Sequence, residues 1–217
     1  MQRVRGAALS ALVALIAGAG GALALGHSSQ LYPGTARHPR GVRMQVSFGW
    51  SNLGEDVTSF KVWFPRGSVY NGASYPQCSL HKLDYVGPSA CPKGSIMGGG
   101  YGVALANTTV TKPQITVVNG GADTIYFYTI LNNPARVQEP IIGHLTRLRG
   151  NYAYEFSASI PDNLRIVAGV PINLTSLNVT LGRGNWIALA AAPAGVKVQT
   201  GYANGASSYS ELWVQND

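Results

Sequence analysis

From Val42 the chain alternates. Val42, Met44, Val46, Phe48 and Trp50 take every second position, with Arg43, Gln45, Ser47 and Gly49 between them. Successive side chains of a strand point to opposite faces, so a period of two predicts a strand with one buried and one wetted face. A turn cluster at 51–55 follows. Phe60, Val62 and Phe64 then alternate with Lys61 and Trp63 up to Pro65. Trp63 is out of phase with the buried set and is expected on the outer face.

The stretch 65–102 is the least regular, with many Pro and Gly residues and both cysteines. Beyond it strand signals come in close succession. Segment 114–118 ends in the strong turn Asn119-Gly120-Gly121, and 124–131, rich in β-branched and aromatic residues, stops at Asn132-Asn133-Pro134. Segments 141–148, 152–160, 172–181 and 186–191 follow, and 196–203 with 207–215 reads as a terminal hairpin around Asn204-Gly205. The run Gly98-Gly99-Gly100-Tyr101-Gly102 lies in an apolar, β-like segment with no Lys-Ser/Thr pair or helix after it. It is read as a bulge or a close approach of backbones and not as a phosphate loop. Roughly ten short strands with frequent turns predict an all-β fold, a single antiparallel β-sandwich.

The first 24 residues have a different pattern. Arg3 and Arg5 precede a small or apolar run at 7–19, and Ala22-Leu23-Ala24 supplies a small-x-small cleavage site. This is the order of a secretory signal peptide. The competing reading is an uncleaved anchor, because 7–25 is nearly long enough to span a bilayer. Gly18, Gly20 and Gly21 weaken that helix. The expected organisation is a signal peptide at 1–24, a flexible lead-in at 25–41 and a β-sandwich domain at 42–217. Membrane association is expected only if the leader stays uncleaved.

Composition narrows the class. Apolar residues make up 46% and charged residues 12% of the 217, which excludes a disordered polyelectrolyte. The net charge is +7, and removing Arg3 and Arg5 leaves +5. The basic residues are dispersed, with no run of Lys and Arg and no nucleic-acid motif, so no nucleic-acid partner is expected. The charge is read as solubility, with adhesion to an anionic polymer as the competing reading.

Two cysteines, Cys78 and Cys91, lie in the mature region. Two thiols bound for an oxidising compartment most simply pair. Their spacing is far wider than the Cys-x-x-Cys of redox pairs, and only His81 lies near enough to extend them into a zinc site.

The same region carries a resemblance. Phe64-Pro65, Asn71, Pro76, Cys78, Leu83, Gly87, Cys91-Pro92, Gly94-Ser95 and Gly98 resemble a motif of exported proteins from high-GC Gram-positive bacteria. In outline it is Pro-x-Cys, a Leu and a Gly, then Cys-Pro-x-x-Ser-x-x-Gly. Such proteins have a signal peptide, a β-rich domain of similar size and no established activity. The resemblance implies that Cys78 and Cys91 bridge, that Pro76, Pro92 and Gly98 shape the loop, and that no residue is catalytic. This chain departs from the pattern in having no second cysteine pair near its C-terminus.

Candidate chemistry is sparse. The histidines are His27, His38, His81 and His144; the first two fall in the lead-in and none has a metal-ligand spacing, so no metal and no cofactor are expected. Ser74, Ser95 and Ser207 lack the flanking glycines of a nucleophile elbow. The nine acidic residues form no suggestive pair for glycoside hydrolysis. The aromatic residues remain. Tyr70, Tyr75, Tyr85 and Tyr101 cluster in and around the cysteine loop, where they could bind a partner or plug the end of the sandwich. The expected function is that of an exported, non-catalytic protein working by surface contacts, with a cell-wall polymer or another exported protein as partner. A carbohydrate-binding module is the alternative, and a hydrolase assembled only in the fold is the second.

Overall fold

The computed structural model describes residues 27–32, 42–48, 56–189 and 194–214. The leader and its cleavage site, and the facing of Val42, Met44, Val46, Phe48 and Trp50, lie outside what is described. Strand β1 (His27–Tyr32) pairs antiparallel with β2 (Val42–Phe48), and β3 spans Val57–Pro65. Then come β4 (Val69–Tyr70), helix α1 (Leu80–Val86), β5 (Ile96–Ala106), β6 (Thr109–Thr111), β7 (Gln114–Asn119) and β8 (Thr124–Leu131). The rest are β9 (Val137–Arg147), β10 (Tyr152–Ser159), α2 (Asp162–Arg165), β11 (Ile166–Val167), β12 (Val170–Leu181), β13 (Ile187–Ala188), β14 (Ala194–Tyr202) and β15 (Ser207–Val214).

The fold is all-β. Its main sheet has the order β1-β2-β12-β5-β7-β8-β9-β10-β3-β14-β15, with β6 beside β5 and β11 beside β12. Every strand pair is antiparallel. The layers expected of a sandwich are joined by hydrogen bonds into this one sheet, which curls over a common core. Val62 and Val198 of β3 and β14 belong to the same buried cluster as Ile115 and Val117 of β7, Phe127 of β8, and Val179 and Leu181 of β12. The ends of the sheet also converge, with Cα atoms of β1 and β15 within 8 Å.

One expectation needs correction. The lead-in at 25–41 is not all connector, because His27–Tyr32 adds a six-residue ladder to β2. The stretch carries no alternation of apolar and polar residues, which is why its pairing is silent in the sequence.

The glycine-rich run does lie in a strand, the eleven-residue β5. A Cβ at Gly98 or Gly100 would run into the carbonyl oxygens of Thr180 and Asn178 on β12. The glycines therefore permit close approach of two backbones, and the pairing with β7 shifts register between Ile96 and Gly98. β8 is buried on both faces, as its near-continuous apolar sequence requires: Ile125 and Phe127 enter the main core, while Tyr126 and Tyr128 face the cysteine loop.

Candidate functional site

The cysteine loop is built on one side chain. Asn119, the last residue of β7, is fully buried. Its amide nitrogen donates to the carbonyls of Gly72 (2.9 Å) and Pro76 (3.0 Å), with that of Tyr75 at 3.3 Å. Its Oδ1 accepts from Trp186 Nε1 (3.1 Å) and from the Gly121 amide (3.3 Å). The Cys78 amide donates to the Asn119 carbonyl at 2.9 Å, so the loop is fixed to the sheet just before its first cysteine.

Cys78 and Cys91 form a disulfide, with Cα atoms 5.2 Å apart. Between them runs α1, started by Ser79, whose hydroxyl accepts the Lys82 amide. It is ended by Gly87 at φ 90°, a conformation suited to glycine. The buried side chain of Leu83 packs with both cysteines, Val118, Tyr126 and Tyr128 on the sheet. The helix is thus a small lid clamped by one leucine and one disulfide.

The four tyrosines divide. The Tyr70 hydroxyl donates to the Gly121 carbonyl at 2.8 Å, and its ring stands edge-on to the buried Trp186, with centroids 5.4 Å apart. Burial, reinforced by the Asp123 carboxylate, pushes the Tyr70 hydroxyl pKa well above its ordinary value. The Tyr75 hydroxyl donates to Asn185 Oδ1 at 2.5 Å and accepts the Asn185 amide, holding the 182–186 turn. Both of these rings also pack against the main core. Tyr85 is 77% exposed on α1, with His81 tilted against it at 4.5 Å, and Tyr101 is 43% exposed on β5. In the loop Tyr85 and the neighbouring Val86 are therefore open to solvent, while Tyr70 and Tyr75 build its base.

A second surface emerges from register. On the outer face of β9, β10, β3, β14 and β15, cross-strand pairing aligns Thr146, Glu155, Trp63, Lys197 and Glu211 in one row. A parallel row holds His144, Ser157, Lys61, Gln199 and Tyr209. Trp63 faces outward, as its phase in the sequence requires. Its Nε1 donates to Glu155 Oε2 at 2.8 Å, and Lys61 Nζ lies 3.6 Å from the other carboxylate oxygen. Lys197 Nζ lies 5.2 Å from the Trp63 ring centroid and 4.7 Å from that of Tyr209. Tyr209 is 56% exposed. Two aromatic rings, two ammonium groups and a carboxylate thus share one face, set by strand register across the β3–β10 and β14–β15 pairs. Only Trp63 was legible in the sequence, through its phase; its neighbours are distant in the chain.

At the edge of this face lies a shallow groove of about 530 Å³ lined by His144, Ser157, Ser159 and Glu139, among others. His144 and Ser157 are cross-strand neighbours. Glu139 accepts the Asn163 amide at 2.8 Å. No hydrogen bond joins His144 to Ser157 or Glu139, so the acid, imidazole and hydroxyl share a groove without forming a relay. Among the described residues, no group of three or more His, Cys, Asp and Glu side chains is placed to hold a metal ion. No helix among them is long and apolar enough to cross a membrane. Comparison with known protein families, with curated proteins and with solved structures finds no match to this chain.

Proposed function

We propose that this is an exported, non-catalytic protein that works by surface contacts, with a cell-wall polysaccharide lying across the outer face of β10, β3, β14 and β15. The observation that carries the reading is the Trp63–Lys197–Tyr209 assembly beside Lys61 and Glu155. A sugar ring has an apolar face that stacks on an aromatic ring and a polar rim that needs donors and acceptors, and this face offers both. The hydrogen bond from Trp63 to Glu155 fixes the indole before any ligand arrives, lowering the ordering cost of association. Lys61 and Lys197 favour an anionic polymer. Export is supported by the leader pattern and agrees with the Cys78–Cys91 disulfide, since such bonds persist in oxidising compartments. Kinship with the exported proteins of high-GC Gram-positive bacteria is part of the same proposal and rests on the cysteine-loop motif.

The test is co-sedimentation with insoluble cell-wall polysaccharide. The wild-type protein is expected in the pellet, and a Trp63→Ala, Tyr209→Ala double variant in the supernatant with its melting temperature nearly kept, because both rings reach solvent. Equal retention of the variant would remove the face from the proposal. The groove at His144 motivates the competing hydrolase reading. Release of soluble sugar by the wild type and not by His144→Ala would favour it over simple binding.

A further inference from the structure

The sheet curls around a space that its side chains do not fill. A partly open cavity of about 100 Å³ lies inside the curl, lined from opposite sides by Phe60 of β3, Phe127 and Leu131 of β8, Ile160 after β10, and Leu174 of β12. Its lining is apolar except at two residues, Thr129 and Arg165. The Thr129 hydroxyl is occupied, donating to the Phe127 carbonyl at 3.2 Å.

Arg165, the last residue of α2, differs. Its Nη1 forms an ion pair with Asp162 Oδ1 at 2.6 Å, but that carboxylate is 90% exposed and the pair is open to water. Its Nε is buried and has no hydrogen-bond partner. A guanidinium donates through a planar fork that matches a carboxylate, so an unpaired Nε beside an apolar cavity is half of an anion site. Asp56 also feels this charge: burial raises its pKa, and Arg165 offsets only part of the rise.

We propose that the cavity is a binding site for a small amphipathic carboxylate, whose apolar part enters the sheet interior while its carboxylate pairs with Arg165. The volume sets the scale. An enclosed apolar cavity of about 150 Å³ takes up benzene; this one is smaller but partly open, so it takes at most a short alkyl chain or one ring that reaches into its mouth, and not a long lipid tail. The site is distinct from the outer face of the sheet, and neither depends on the other.

The probe is 3-phenylpropanoate, with 3-phenylpropan-1-ol as its uncharged counterpart, titrated calorimetrically into the purified protein. The wild type is expected to bind the acid at least tenfold more tightly than the alcohol. Arg165→Gln, which keeps a donor but loses the charge, should abolish that preference and leave alcohol binding unchanged. Ala158→Leu, which adds bulk at a cavity-lining position, should weaken both ligands, with a melting curve to show that the variant is folded. Failure of the wild type to bind either probe, or an Arg165→Gln variant that still prefers the acid, would overturn the proposal. Unchanged binding in a folded Ala158→Leu variant would place the probes elsewhere and overturn it equally.

Discussion

Asn119 shows how one buried side chain can set the shape of a surface. Its amide pairs with carbonyls of the loop on one side and with Trp186 on the other. Buried polar groups are costly when unpaired, each by about 1–3 kcal/mol. Asn119→Ala strands Trp186 Nε1 and the Pro76 carbonyl and leaves the Gly72 carbonyl only the Tyr75 amide at 3.3 Å, so a loss of about 3 kcal/mol is expected in denaturant unfolding. Asn119→Asp keeps the acceptor but removes both donors and buries a charge. It should be strongly destabilised at neutral pH and partly recover on acidification, as the carboxyl protonates. In the sequence Asn119-Gly120-Gly121 is visible only as a turn. The pattern reports that the chain reverses there; it cannot report that the asparagine points inward to meet residues more than forty positions earlier.

Tyr70 gives a residue-scale prediction with a sign. Its pKa is raised above the ordinary 10.0, mainly by burial, and Tyr126 and Tyr128 are shifted the same way. In the unfolded chain these hydroxyls ionise near 10.0, while in the folded protein they stay protonated to higher pH. The folded state then holds more protons, and stability falls as pH rises through the unfolded value. In an alkaline titration followed by tyrosinate absorbance, the ionisation of these three rings should accordingly come late, together with unfolding. Ionisation of these rings near 10.0 in the still-folded protein would contradict this.

Among the elements, the strands were the legible part. Segment 124–131 coincides with β8, and 152–160 with β10 to within one residue, because alternation or dense β-branched and aromatic content marks them clearly. Of segment 186–191 the structure describes Trp186 to Leu189: Ile187 and Ala188 form β13, pairing with Tyr70 and Val69, and Trp186 and Leu189 are buried in the core. Helix α1 was not anticipated. Seven residues with a single fully buried position, Leu83, show no helical period, and the helix is held by its cap, the disulfide and that leucine.

From this arrangement the disulfide and the tyrosines should separate cleanly. Replacing Cys78 and Cys91 by Ser frees a short loop and is expected to cost about 3 kcal/mol. Because Asn119 anchors the loop independently, the sheet should stay folded. Tyr75→Phe should lower the melting temperature by loosening the 182–186 turn, and Tyr85→Ser should leave it unchanged, since its ring is largely in water. A large loss from Tyr85→Ser would mean that α1 is held by its exposed side.

At the scale of the whole molecule, the sequence conveyed the class of fold but not its closure. Alternation says which residues face inward; it does not say which strands meet. The order β12-β5-β7-β8 on one side and β10-β3-β14 on the other joins residues from both halves of the chain, and the outer aromatic face and the inner cavity both follow from that pairing. The candidate site was least legible for the same reason. Trp63, Lys197 and Tyr209 come together through the registers of β3, β14 and β15, which no local signal encodes.

The role of β1 provides the test of closure. It pairs with β2 over six positions, and its Cα atoms approach β15 at the far edge of the same sheet. An uncovered strand presents a row of unpaired N–H and C=O groups, a template for pairing with another chain. A leader cut after Ala24 would leave β1 intact, because the strand begins at His27. A chain beginning at Val42 loses it, exposes the free edge of β2 and removes the strand that approaches β15 across the seam. Compared with a chain beginning at Leu25, this shorter protein should melt several degrees lower and self-associate as its concentration rises. Light scattering and melting curves at two protein concentrations would check both. If the two chains instead melt together and stay monomeric, β1 is dispensable to closure, and the curl of the sheet is held by the core that β3, β7, β8, β12 and β14 share.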